Sequence, residues 1–526
     1  MELGKSIYRI RNNTKLTQEQ FAEMFGVSQQ AVQKWESGVS MPDIEKIIKI
    51  ANCFDVSLDS LLMGNDNRIV EEMNKRETIK PQYTNIHDWE FYSSNLITEF
   101  KQSQEEGLDI EAYREVFSSV AMLPKGEIKK KLGDVLFDVV ISSGMRKDYP
   151  YIEPSDLEQI QTMRRGTNHP YPYNKESLRD QIYGAWLGRI CGCMLGKSIE
   201  GVRTDDLIPF LKETKNYPMS RYIHRRDLQN VDLTKYKFNF ASRRYADEID
   251  GMPSDDDTNY VVMAQKIIEK YGRDFTPYDV SKAWLTYQGK DAYCTAERVA
   301  FCNFIKGYAP PQSAVYKNPY REWIGAQIRG DYFGYINPGN PKLAAEMAWR
   351  DASISHIKNG IYGEMFVAAM IAIAATTRNI EQIVIGGLAE IPQASRLYES
   401  VMEVFDSYKR GVSKKDCFKM IHERYDEHNG HDWCHTISNA MIVVTSLLYG
   451  EGDFSKSICM AVEAGFDTDC NGATVGSILG MANGTKSISE LWSAPINNKL
   501  HTSIFGVGTV SIAECVEKTL SHINNT

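Results

Sequence analysis

Between residues 1 and 64 the apolar positions fall at helical spacing in five short runs separated by turn residues. Leu3, Ile7 and Ile10 stripe the first run. Thr17 followed by Gln20 is a capping-box start for the second, which carries Phe21 and Met24. Gly26 breaks the chain, Ser28 can cap a third helix bearing Ala31, Val32 and Trp35, and Gly38 ends it. Pro42 stands at the first turn of a fourth helix with Ile44, Ile47, Ile48 and Ala51, and Leu58, Leu61 and Leu62 mark a fifth. Residues 65–85 are polar, lack a period and contain Pro81, which reads as a linker. Helical spacing resumes over 86–150, with Phe100, Val116, Phe117, Val120, Leu136 and Val139 as expected core, and 150–174 reads as an irregular, proline- and aromatic-rich connector. In the remaining block helices are expected over 177–195, 259–271, 342–353, 361–376, 436–449 and 472–482. Neither sustained strand alternation nor a long internal repeat is visible, so the expected fold is all-α. The expected division is a small helical domain over 1–66, a linker and helical connector over 67–175, and a large helical domain over 176–526.

Composition narrows the function classes. The 526 residues are 42% hydrophobic and 25% charged, enough for a large core and more than one domain. A net charge of −9 and a pI of about 5.7 exclude a basic coat, so any nucleic-acid contact has to come from a local surface. The longest apolar run, Met365 to Ala375, is well short of the ~20 residues of a membrane helix, and no apolar stretch follows the N-terminus. The ten cysteines include no C-x-x-C pair. A cytoplasmic protein with no membrane span and no disulfide scaffold is expected.

The third helix presents Ser28, Gln29, Gln30, Gln33 and Lys34 on a polar face while Val32 and Trp35 point inward. Glutamine can bond bidentately to adenine N6 and N7, and the start of such a helix is what reaches base edges in the major groove. The T-Q-x-x-F-A start and W-E-S-G-x-x-x-P close resemble the Cro/C1-type helix-turn-helix domains of phage repressors. That resemblance implies that residues 1–66 bind double-stranded DNA through Gln18, Ser28, Gln29, Gln30, Gln33 and Lys34. The charge of this segment is near balance, so phosphate attraction is modest and a homodimer is expected.

Asp255, Asp256 and Asp257 precede a helix carrying Val261, Ala264, Ile267 and Ile268. Three adjacent carboxylates repel one another, and only a loop entering a helix can converge them, provided a cation offsets the repulsion. Alone, this cluster is more simply a solvated helix cap. Asp467 and Asp469, two residues apart before a second helix of small residues, raise the number of carboxylates to five. Hard oxygen ligands in that number suit Mg²⁺ or Mn²⁺, including a pair of ions about 4 Å apart. Glycines 184, 188, 192 and 196 fall four apart and form a bare stripe, for which helix packing is the simpler explanation. His431 and His435 flank Trp433 and Cys434 without a recognisable zinc spacing, which favours a cleft wall over a metal site.

The ordered motifs G-A-x-L-G, D-D-T before a helix and G-x-D-T-D before a late helix, spanning about 177–510, resemble the ADP-ribosylglycohydrolase family. The resemblance implies an all-α bundle with a dinuclear Mg²⁺ site, Mn²⁺ being the other option, in a cleft. Residue by residue, it places Asp255, Asp256, Asp257, Asp467 and Asp469 on the metals, and Asp256 and Glu200 in catalysis. Glu200 matches the mobile acid after the glycine stripe. Gly325, Ala326, Gln327 and Arg329 resemble the phosphate-cradling loop, and His356 resembles the family histidine that follows it. The implied reaction is hydrolysis of a glycosidic bond at C1″ of ADP-ribose in an ADP-ribosylated substrate. Three departures stand out: Asp255 where the family has Thr or Ser, Cys470 where it has Thr or Ser, and Cys193 where an Asp is frequent. They keep a second function open, a transcriptional regulator whose silent hydrolase-like domain senses an ADP-ribose-like metabolite.

Overall fold

A computed structural model describes residues 2–54, 56–64, 83–166 and 170–524, so most of the expected linker lies outside the described residues. The chain forms two compact units, Met1–Gln82 and Tyr83–Thr526.

The small unit has five helices, α1 Glu2–Asn13, α2 Gln18–Phe25, α3 Gln29–Glu36, α4 Ile44–Phe54 and α5 Leu58–Met63. Each end is set by local chemistry. Thr17 and Gln20 close the capping box, Gly26 takes the left-handed conformation at φ 63° that ends α2, and the Ser28 hydroxyl accepts the Ala31 N–H. Phe21 stacks on Phe54 with centroids 5.7 Å apart, and Ile7, Val32, Ile50 and Leu61 complete an apolar core. Gly4 lets α1 lie on α3, since a Cβ there would run into the Trp35 carbonyl. Two expectations change. Asp43 starts α4, accepting the Lys46 N–H at 2.8 Å, so Pro42 precedes the helix. The buried face of α4 is Ile47, Ile50, Ala51 and Phe54, leaving Ile44 and Ile48 exposed.

In the large unit the segment expected as a connector is an integral part of the body. Helices α6 Leu96–Glu105, α7 Arg114–Ala121 and α8 Glu127–Ser142 bury Phe100, Phe117, Leu136 and Val140 among themselves, whereas Val116 is exposed. Buried polar contacts fix them to the rest: Arg321 donates to Glu99 at 2.8 Å and Gln102 to Glu322 at 2.7 Å.

The remaining helices that position the site are α9 Lys175–Lys197, α10 Asp256–Tyr271, α11 Thr295–Ile305, α12 Lys358–Ala374, α13 Thr436–Gly450 and α14 Thr468–Asn483. The glycine stripe of α9 meets a matching stripe on α14. Gly184, Gly188 and Gly192 lie against Gly480, Gly476 and Gly472, and a Cβ on any of them would strike the opposite glycine's carbonyl. Gly196 meets the Thr468–Asp469 peptide in the same way. This backbone contact carries the last turn of α9 to the first turn of α14. The apolar run Met365–Ala375 falls mostly on α12, whose residues from Asn359 onward are buried. Among the described residues no helix is long and apolar enough to cross a membrane. Sheet among them is limited to a hairpin, β1 Lys499–His501 antiparallel to β2 Thr509–Ser511. Three-residue strands are too short to show an alternation in sequence.

Candidate active site

Both acidic clusters sit in the first turns of helices rather than wholly on loops. Asp255 caps α10, so Asp256 and Asp257 occupy its first turn, and Asp467 and Asp469 stand at the start of α14. The free backbone N–H groups and the positive end of each helix offset part of the mutual repulsion of these carboxylates. Because α9 and α14 touch through glycine, Cys193 and Lys197 join the same group.

Their partners differ residue by residue. Asp255 Oδ2 accepts from Lys197 Nζ at 2.5 Å, and its Oδ1 accepts from the Asp257 N–H at 2.9 Å and Cys193 Sγ at 3.3 Å. Asp257 Oδ1 accepts from Arg189 at 2.8 Å, and the same guanidinium reaches Asp331 at 2.9 Å. Asp257 Oδ2 and Asp469 Oδ1 are buried without a hydrogen-bond partner among the described residues. Burial first, and then neighbouring carboxylates, push Asp256 and Asp469 well above the usual aspartate range; burial does the same to Asp257 against the pull of Arg189.

These groups open on a cleft of about 460 Å³ lined by Glu200, Asp256, Asp467, Asp469 and Cys470. Glu200 stands at the mouth, its backbone carbonyl held by Arg243 at 2.6 Å, and burial with Asp255 and Asp467 raises its carboxyl to about 7. Aromatic walls face the carboxylates. Trp433 lies under Arg203, and Trp323 and Tyr320 pack edge-on to each other.

The expected phosphate loop is divided by the structure. Gly325 lines the cleft, and the Glu297 carboxylate fills the space where a Cβ would stand. Ala326, Gln327 and Arg329 are buried and are not cleft-lining. Arg329 donates to Glu297 at 2.9 Å and Asp351 at 2.5 Å, so its charge is spent on internal partners. His356 is buried as well, with Nδ1 2.8 Å from the Ser355 hydroxyl. The substrate-binding expectation therefore narrows to Gly325, with Arg329 and His356 supporting the loop from behind.

His431 and His435 also resolve. The His431 Nδ1 accepts from the Trp323 indole at 3.1 Å, which turns Nε2–H toward Glu105 at 3.0 Å. The His435 Nδ1 accepts from the Ile437 N–H at 3.1 Å and caps α13. His431 lines the cleft and His435 does not; both Nδ1 lone pairs are engaged, so each ring's other nitrogen carries the proton, while Glu105, His431 and His435 lie within ligand distance of one another.

Two contributions escaped the sequence reading. Glu297, on α11, lines the cleft and is pushed to about 7 by burial against the pull of Arg329; a lone glutamate inside a helix carries no motif. Trp89, Asn95 and Thr98 come from the segment read as connector and line the same cleft. Trp89 lies under the Arg298 guanidinium at 4.5 Å, and its carbonyl accepts from the Tyr320 hydroxyl at 2.6 Å. The aromatic run around Trp89 in an otherwise polar stretch was the available signal.

In the small unit, Ser28, Gln29, Gln30, Gln33 and Lys34 are exposed on or beside α3, with Ser28 engaged as its cap. Gln18 differs, because its amide donates to Glu36 at 2.7 Å and Glu36 is also held by Arg11 at 2.5 Å. Its side chain braces α2 against α3.

A family model for ADP-ribosylglycohydrolase matches residues 174–519, and a helix-turn-helix model matches residues 7–61. The HTH-type transcriptional activator BcrR of Enterococcus faecalis is 37% identical over 87 residues, which cover 16% of this chain and 43% of that protein. The uncharacterized HTH-type transcriptional regulator YqaE of Bacillus subtilis is 32% identical over 81 residues, covering 15% of this chain and 70% of that one. The chain thus spans less than half the length of the first of these relatives. A solved structure described as an ADP-ribosylglycohydrolase-related protein complex aligns with a TM-score of 0.43 at 17% identity, covering 66% of this chain and 99% of its own.

Proposed function

Since this chain belongs to the ADP-ribosylglycohydrolase family and carries an N-terminal helix-turn-helix domain of the transcription-regulator type, we propose that it is a DNA-binding hydrolase of an ADP-ribosylated substrate. The observation that carries this reading is the convergence of Glu200, Asp256, Asp467 and Asp469 on one cleft from three separate stretches of chain. The bond broken is the glycosidic bond at C1″ of the ADP-ribosyl group, and water supplies the hydroxyl of the released ADP-ribose.

The donor set fits a divalent cation. Asp257 Oδ2 and Asp469 Oδ1 are buried oxygens without a hydrogen-bond partner among the described residues, and Asp256 and Asp467 line the cleft with Asp469. Bound there, a cation such as Mg²⁺ or Mn²⁺ supplies a Lewis acid for ribose hydroxyls and water. The chain's own groups do the rest. The carboxylates face the positive charge that develops at C1″ as the bond lengthens. Glu200, at the mouth and held by its backbone rather than by a strong side-chain partner, exchanges the proton. Trp433, Trp323 and Trp89 give flat surfaces on which the ring systems of the ligand stack and from which water is excluded.

In the small unit, the exposed Gln29, Gln30, Gln33 and Lys34 serve as base- and phosphate-contacting residues, with a dimer on a two-fold operator as the natural unit of binding. A silent sensor is the second reading, favoured by Cys193 and Cys470 at the carboxylates. One experiment separates the two: the purified protein is incubated with Mn²⁺ or Mg²⁺ and substrates carrying ADP-ribose on arginine, serine or a nucleobase, and released ADP-ribose is measured. Release that EDTA abolishes supports the hydrolase. Tight ADP-ribose binding with no release from any substrate contradicts it and leaves the sensor.

A further inference from the structure

The carboxylate region contains two groups of candidate ligands, and they are not equivalent. Cys193, Asp255 and Asp257 form one; Asp257, Asp469 and Cys470 form the other, with ligand atoms within 4.8 Å of one another in each. A divalent ion at the first group would have to share it with an ammonium. Lys197 Nζ lies 2.5 Å from Asp255 Oδ2, while Asp255 Oδ1 already accepts from the Asp257 N–H and from Cys193. Both oxygens of Asp255 are therefore engaged, and its charge is met by a cation bound covalently to the chain. An ion beside that ammonium would face like-charge repulsion next to a carboxylate whose side chain is only 2% exposed.

The second group has no such partner. Asp469 is 3% exposed and Asp257 is fully buried, yet Asp469 Oδ1 and Asp257 Oδ2 have no donor among the described residues. Arg189 takes only the other oxygen of Asp257 and divides its charge with Asp331. Orphaned buried carboxylate oxygens are costly unless a cation meets them. Asp255 and Lys197 thus form a closed pair next to an open one.

We propose that this cleft holds a single divalent cation, at Asp257, Asp469 and Cys470, and that the Lys197 ammonium stands in the place of a second. The inference rests on the metal-dependent reading above and departs from the dinuclear site that the family resemblance implies. It also gives Asp255 a definite purpose. A hydroxyl at that position could ligate a metal but could not hold a lysine as an ion pair, whereas a carboxylate does so and caps α10 as well.

The test is stoichiometry, not turnover. The full-length protein is brought to equilibrium dialysis against Mn²⁺, the bound manganese per chain is measured by mass spectrometry, and the spin coupling is read by electron paramagnetic resonance. One ion per chain with an uncoupled signal is expected for the wild type and for Lys197→Arg, which keeps the charge. Lys197→Ala, which removes it, is expected to bind two ions with a coupled signal. Two coupled ions in the wild type would overturn the inference and leave the metal-dependent reading intact; no bound ion in the wild type would overturn that reading itself. If circular dichroism shows that Lys197→Ala does not fold, the wild-type and Lys197→Arg stoichiometries still decide the question.

Discussion

The two units of this chain handle polar groups in opposite ways. In the small unit the groups assigned to function lie on the surface, and the carboxylate at the α2–α3 seam is met from inside the unit: Glu36 accepts from Arg11 and Gln18, while the caps meet their helix ends. The large unit buries the groups assigned to function and leaves some of them unmet, with orphaned oxygens on Asp257 and Asp469 and carboxyls driven upward by burial and then by one another. A surface that reads DNA can be complete before its ligand arrives, because water solvates it meanwhile. A cleft that must exclude water has to be left incomplete until its ligand enters. The contrast predicts that perturbations of the cleft stay within the large unit.

The largest effect is expected at the glycine stripe. Gly192→Val forces a branched side chain into the Gly472 carbonyl, so the large unit should lose on the order of 3 kcal/mol or more. Operator binding by the small unit should persist, and calorimetry together with gel shifts checks both halves. Loss of both functions would show that the units do not fold separately.

Next comes Glu200→Gln, which keeps the size of the residue at the mouth and removes its proton. Turnover should fall about 100-fold with ADP-ribose affinity nearly unchanged, as read by kinetics and by titration calorimetry. Equal rates would reduce Glu200 to a structural role.

Acid should separate the units further through His435. Burial first, and then His431, holds its imidazole down at about 3, against an ordinary value of 6.5. Below 6.5 the unfolded chain takes up a proton that the folded state refuses, so this group's contribution to stability is lost as pH falls toward 3. At pH 5 the loss is about 2 kcal/mol. His435→Asn keeps an acceptor for the Ile437 N–H and removes the titration. The wild type should therefore lose about 2 kcal/mol more than this variant between pH 7.5 and 5, a difference that parallel unfolding curves would show.

The smallest effect is expected on the other side of the comparison. Gln30→Ala should cost about 1 kcal/mol of discrimination at one base pair and leave the melting of both units unchanged. A uniform loss across all sequences would make Gln30 a backbone contact instead.

Local rules carried most of the fold. Thr17–Gln20, Ser28 and Asp255 act at helix ends within a few residues of themselves, and the four-residue glycine period announced a close helix contact before its partner was known. The acidic clusters were legible only together, since Asp255–Asp257 alone reads as a helix cap and Asp467 with Asp469 supplies the second set of carboxylates. What failed was long-range. The burial of Arg329 against Glu297 and Asp351, and the capture of Asp255 by Lys197, depend on residues 22 to 58 positions away in sequence. The membership of Trp89 in the cleft depends on Tyr320 and Arg298, more than 200 positions downstream. Pattern within one helix says which face is buried. It says nothing of which charge waits on the other side.

Differential scanning calorimetry of the whole chain tests most directly whether the orphaned carboxylate oxygens of the large unit receive a cation that the small unit does not bind. Scans with EDTA and with Mn²⁺ should show the transition of the large unit moving upward, by about 2.7 kcal/mol of added stability at a hundredfold excess over Kd, while the transition of the small unit stays fixed. Superimposable scans, or a shift confined to the small unit, would contradict the account.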